Sequence, residues 1–176
     1  MRETLFKTVH GSRLYGLAHE NSDEDFYTVV TKKPVPKGRQ VKARYAKQKI
    51  NGDEDSMVVD FGTWVEMCRN GVPQALEAMF SDMPIGDDRI ADFRSGFRVG
   101  TEVYARYYRT IKSFALMEDD GIKKRRHALR LALNLNEMAR TGRFNPTLSA
   151  EDARYISGMA TKSHEDVYGL ALCIAW

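Results

Sequence analysis

Three aspartates carry the most chemistry in this chain. Asp23 and Asp25 stand two apart where a strand is about to begin. A period of two sets both side chains on one face, with about 6.6 Å between residues i and i+2. Carboxylates so close repel each other unless a cation compensates. In phosphoryl-transfer sites that cation is usually a pair of divalent ions about 3.5–4 Å apart. Ordinary loop acids also show an Asp-x-Asp spacing, so the pair alone decides little. Asp60 adds weight, because it lies among Met57, Val58, Val59 and Phe61. An acid inside an apolar strand is costly unless it is paired or ligates something. Alternation sets Val59 and Phe61 on one face and Asp60 with Val58 on the other. If that strand neighbours the one starting at Asp25, three carboxylates converge.

Phosphate-binding groups accompany the acids. Gly11-Ser12 precedes them; glycine lets a backbone approach a phosphate closely, and serine offers N–H and hydroxyl donors. Alone the dipeptide means little, and its order before the acids gives it value. Farther along, Lys123, His127, Arg130 and Asn134 recur at helical spacing. This polar stripe is either a solvated face or a cationic wall that holds a triphosphate tail, with Lys123 and Arg130 as charge clamps. His10 and His19 read as structural and loop residues. Glu77, between Leu76 and Met79, faces the core side of its helix and could tie down a loop.

The elements that must position these groups run from strands to helices. Thr4 to His10 reads as a strand ending at a Gly11-Ser12 turn, and Phe26 to Thr31 as a second. Val41 to Ile50 and Ser56 to Phe61 flank Asn51-Gly52, a hairpin signal loosened by Asp53 to Asp55. Helical spacing then covers Phe61 to Asn70, capped by Gly71. Pro73 starts a helix through Phe80, and a short one follows over Asp87 to Arg94. Thr101 is the candidate N-cap of a helix over Glu102 to Leu116. Lys123 to Thr141 is the clearest helix, with Ala128, Leu131, Leu135 and Met138 as its buried stripe. Ser149 to Asp152 forms a capping box for a last helix. The apolar tail from Tyr168 to Trp176 is expected to pack on the body. The order implies an α+β fold: a small mixed β-sheet with helices packed on it and a helical C-terminal half. We expect a catalytic core over residues 1–100 and a helical region over 101–176, packed as one unit.

Composition bounds the function class. With 176 residues the chain can bury roughly 70% of its unfolded surface without staples. Cys68 and Cys173 are far apart and read as core thiols rather than a disulfide or metal pair. No apolar leader or long apolar run is evident, so a soluble, cytoplasmic protein without membrane contact is expected. Lys plus Arg exceeds Asp plus Glu by 27 to 24. Lys32 to Lys49 holds eight cations and no acid, as either a solvated loop or a surface for a triphosphate or nucleic acid.

Gly11-Ser12-x-x-Tyr15-Gly16 followed by Ser22-Asp23-x-Asp25 resembles the opening signature of a family of nucleotidyltransferases. They belong to the DNA-polymerase-beta superfamily, in the group associated with RNA repair. Pro73 through Glu77 to Phe80 is similar to that family's Asn-Pro-x-x-x-Glu-x-x-Phe segment, with Val72 where asparagine is usual. Lys123-x-x-x-His127-x-x-Arg130 agrees as well. The resemblance covers residues 5–142. It implies a palm-type nucleotidyltransferase fold and two Mg²⁺ or Mn²⁺ ions. It also implies transfer of a nucleoside monophosphate from a nucleoside triphosphate to a hydroxyl, with release of pyrophosphate. Gly11 and Ser12 would bind the β- and γ-phosphates, with Arg13, Tyr15 and Ser22 in the nucleotide site. Asp23 and Asp25 would hold both metals, and Asp60 the catalytic one. Lys123, His127 and Arg130 would contact nucleotide or acceptor. A nucleic-acid end is the expected acceptor; a protein acceptor, or a binding module without turnover, are the alternatives. The short chain implies a compact member, of phage or mobile-element type, that lacks a separate acceptor-binding part.

Overall fold

A computed structural model of the chain describes residues 3–31, 46–50, 54–82, 87–117 and 121–176. The basic run from Lys32 to Arg44 and the Asn51-Gly52 turn lie outside the described residues. Four strands, β1 (Thr4–His10), β2 (Glu24–Val30), β3 (Ala46–Ile50) and β4 (Glu54–Asp60), form one sheet in the order β1-β2-β4-β3. β1 runs antiparallel to β2, β2 parallel to β4, and β3 antiparallel to β4. This is the small mixed sheet expected of a palm-type fold.

Aromatic packing binds the sheet to its first helices. Helix α1 is the single turn Gly11–Leu14, followed by α2 (Phe61–Arg69), α3 (Pro73–Phe80) and α4 (Asp88–Gly96). Trp64 of α2 is fully buried, and its ring meets Phe6, Phe61 and Phe93 at centroid distances of 5.4–6.2 Å. Its indole N–H donates to the Ala75 carbonyl at 3.3 Å, so α2 and α3 are bonded through their core side chain. Gly71 makes the tight turn between them at φ +69°. A Cβ there would lie 2.6 Å from the Val103 Cα, so close packing of the turn on the next helix also requires glycine.

The C-terminal half is helical: α5 (Thr101–Ala115), α6 (Gly121–Thr141), α7 (Ala150–Met159) and α8 (His164–Ala175). The expected stripe of Ala128, Leu131, Leu135 and Met138 on α6 is buried, and α6 packs against both α5 and α8. Ser149 caps α7 as its sequence predicts, accepting from the Asp152 N–H at 3.0 Å. Three local expectations differ. Gly100, not Thr101, is the N-cap of α5, and Thr101 is its first helical residue. Cys68 is buried as expected, but Cys173 is exposed. Helix α8 buries Val167, Ala171 and Ala175, whereas the terminal Trp176 is 90% exposed. Among the described residues, no helix is long and apolar enough to cross a membrane.

Candidate active site

The turn after β1 sets the site. His10 pairs with Asp25 across the β1–β2 ladder, so the chain leaving β1 turns directly beside the first acid of β2. At that point Gly11 takes φ +66°, and a Cβ on it would run into the Asp25 carboxylate. Both the backbone conformation and the space therefore demand glycine. The loop back to β2 is held by its own bonds. Arg13 donates to the Ser22 carbonyl at 2.9 Å, and the His19 N–H donates to the Ser22 hydroxyl at 2.9 Å. This fixes where Asp23 emerges.

A cleft of about 640 Å³ opens here. One wall carries Gly11, Ser12, Ser22, Asp23 and Asp25; the other, from α5 and α6, carries Arg106, Lys123, Lys124, Arg126 and His127. Acid thus faces cation across one opening. Arg126 buries its Nε with no protein partner, a donor suited to an anion. His127 is mostly buried, and desolvation, reinforced by the Arg130 charge, pushes its pKa down to about 3. It is therefore neutral at ordinary pH and offers the cleft a hydrogen bond rather than a charge. Burial also lowers the pKa of His10, which lines the same cleft.

Below the cleft floor lies a buried polar cluster. The Tyr15 hydroxyl donates to Glu77 Oε2 at 2.6 Å, and Arg130 Nη1 donates to Glu77 Oε1 at 2.7 Å. The Arg130 guanidinium lies 3.6 Å above the Tyr15 ring, and the His127 ring meets the same tyrosine edge-on. Glu77 is 0% and Arg130 3% exposed. Burial alone would raise the Glu77 pKa, but Arg130 with its hydrogen bonds outweighs burial and lowers it. The pair is ionised, and each charge is answered inside the protein.

Where the sequence-predicted residues fall is specific. Gly11, Ser12, Tyr15, Ser22, Asp23, Asp25, Lys123, His127 and Arg130 all line the cleft. Arg13 does not; it fastens the acid loop from outside. The polar stripe on α6 runs from an exposed Lys123 to Arg130 and Asn134, which are buried. Arg130 is already paired with Glu77, and Lys123, Lys124, Arg126 and Arg106 also line the cleft.

Asp60 stands elsewhere. Its strand does neighbour β2, but in parallel, with Asp60 opposite Val30 and Asp55 opposite Asp25. Five residues of strand put it about 16 Å from the level of Asp25. There it caps α2, with Oδ1 accepting from the Thr63 N–H at 3.1 Å and Oδ2 from the Thr63 hydroxyl at 2.7 Å. The structure thus shows Asp60 as the cap of α2, at the other end of its strand from the level of Asp25. Among the described residues, no group of three or more His, Cys, Asp or Glu side chains could hold a metal ion. Arg106 and Arg126 carried no motif, and the Tyr15–Glu77–Arg130 cluster joins segments too far apart in the chain to be read together.

No curated protein and no solved structure matches the chain. The profile of the RNA repair pathway DNA polymerase beta family, RlaP, matches residues 2–164, past the 5–142 covered by the motifs. The chain belongs to that family.

Proposed function

We propose that this protein is a metal-dependent nucleotidyltransferase that moves a nucleoside monophosphate from a nucleoside triphosphate to a hydroxyl, the type of activity its family suggests. The carrying observation is the contact of the Gly11 turn with the Asp25 carboxylate at a cleft whose far wall is cationic. A phosphate chain placed there meets an open backbone and Ser12 on one side and Lys123, Arg126 and Arg106 on the other.

The acid set fits a hard divalent ion, which prefers oxygen ligands. Asp23 and Asp25, which both line the cleft, would hold it. Metal bound there supplies charge neutralisation on the triphosphate and a more acidic attacking hydroxyl. The acceptor oxygen bonds to the α-phosphorus as the bond from that phosphorus to its bridging oxygen breaks, and pyrophosphate leaves. The hydroxyl proton passes to a carboxylate of the acid set. The cationic wall holds the departing pyrophosphate, and neutral His127 orients without adding charge. The same cations favour a nucleic-acid end as acceptor.

Incubation with each α-labelled triphosphate, magnesium or manganese, and RNA, DNA and protein acceptors tests this reading. Label should move to a nucleic-acid end with wild type and not with Asp25→Asn. Label on a polypeptide would replace the acceptor. Absence of transfer together with absence of metal-dependent nucleotide binding would sink the reading.

A further inference from the structure

We infer that Glu77 is a positioning residue, which sets the Gly11–Ser12 turn against the cleft through the hydroxyl of Tyr15. The inference rests on the nucleotide-binding reading of that turn.

Tyr15 is the C-cap of α1, the single helical turn that begins at Gly11. Its N–H donates to the Gly11 carbonyl at 3.2 Å, so moving Tyr15 moves the turn. Its side chain enters the protein interior and ends on Glu77 of α3. The same carboxylate holds Arg130 of α6, whose guanidinium covers the Tyr15 ring. One acid therefore joins the turn, the helix behind it and the helix that carries the cationic wall. The outer side of α1 is braced separately: the Thr147 hydroxyl donates to the Leu14 carbonyl at 2.9 Å, and the Leu148 N–H to the Tyr15 carbonyl at 3.2 Å.

Stability alone does not account for such a choice. A buried ion pair is commonly matched or bettered by apolar side chains of similar volume. What apolar packing cannot supply is a directed bond to one hydroxyl at a fixed place. Misplacing a ligand-holding group by about 1 Å can cost on the order of 100-fold in rate. Here the distance that matters lies between the Gly11 turn on one wall and Lys123 and Arg126 on the other, and Glu77 touches the supports of both.

Tyr15→Phe removes the hydroxyl and keeps the ring under Arg130, so it separates position from packing. Binding of the four α,β-imido nucleoside triphosphates with magnesium is measured by calorimetry, beside thermal unfolding. At a temperature where both proteins are fully folded, the expected result is an affinity at least about tenfold weaker for Tyr15→Phe. Its melting temperature should also be lower, from the lost bond to a buried carboxylate. Two double variants extend the test without a lone buried charge. Glu77→Gln with Arg130→Met keeps an acceptor for Tyr15 and should bind more tightly than Glu77→Leu with Arg130→Met. Equal affinity of wild type and Tyr15→Phe overturns the inference, as does weakening that only follows the unfolded fraction. Equal affinity of the two double variants overturns it as well. If wild type itself binds no triphosphate, the nucleotide reading fails first and this inference falls with it.

Discussion

Two charged clusters lie within one wall's thickness of each other and are treated in opposite ways. Asp23 and Asp25 bring like charges together at the mouth of an open cleft. Glu77 and Arg130 bring opposite charges together in the dry interior and satisfy them there. Like charges gathered at a surface repel each other, and a bound cation relieves that repulsion. A buried, bonded pair fixes geometry and answers most of its charge internally, with one Arg130 N–H left over. The difference marks the first cluster as the place where chemistry happens and the second as the part that holds its shape.

The comparison is broken most directly at Asp25. Replacing it with Asn should lower nucleotide transfer by about 10³-fold or more, the scale of losing a main electrostatic contributor in a transferase site. The fold should stay intact, because Asp25 lines the open cleft and asparagine keeps its shape. Single-turnover transfer and chemical denaturation, run together, check both halves. A large loss of stability would mean that Asp25 belongs with the structural acids.

The opposite pattern is expected at Glu77. Glu77→Ala strands the Arg130 charge in the interior and should cost about 3–5 kcal/mol of folding stability, whereas Glu77→Leu combined with Arg130→Met should recover most of it. Urea midpoints with their slopes measure this. If the single variant loses less than about 1 kcal/mol, the pair is not as isolated from water as its burial implies.

Between the two clusters, His127 gives the comparison a pH dependence. Its folded pKa, about 3, lies below the ordinary 6.5, so the unfolded chain binds more protons between those values. Stability must then rise with pH across that window and fall on acidification from pH 6.5 toward 3, by on the order of a few kcal/mol. Glu77, also lowered, contributes stability that is present above the usual carboxylate range and lost as pH falls through its folded value. His127→Gln should flatten the slope between pH 4.5 and 6.5 and leave the steeper loss below it. Unfolding free energies at several pH values show whether the two parts separate.

Local chemistry was legible from sequence, and direction was not. The turn at Gly11, the helix beginning at Pro73, the stripe on α6 and the Ser149 cap each depend on a few neighbouring residues, so pattern and propensity sufficed. The third acid depended on the relative direction of β2 and β4. Had those strands been antiparallel, the end of β4 at Asp60 would have met the start of β2 at Asp25. Being parallel, they bring their starts together and leave Asp60 opposite Val30. A parallel pair needs a long crossover, and the chain between Val30 and Ala46 gave no helix signal that would have announced one. The stripe at Lys123, His127, Arg130 and Asn134 was seen, but not its inward turn. The partner that makes burial of Arg130 tolerable sits on α3, and the tyrosine beneath it on α1.

The smallest expected effect separates Asp60 from the acids it was grouped with. As an N-cap accepting from the Thr63 N–H, it is worth about 1 kcal/mol to α2, so Asp60→Ala should lower stability by about that much. Transfer measured at a temperature where the variant is fully folded should remain within about twofold of wild type. Asp23→Asn, made beside it, should reverse the pattern, with transfer reduced toward the level of Asp25→Asn. Asp60→Asn sharpens the contrast further, because asparagine is also a good cap and should restore the lost stability. If Asp60→Asn instead abolishes transfer with the fold intact, Asp60 belongs to the acid set. The two clusters would then have to be redrawn with Asp60 on the reactive side.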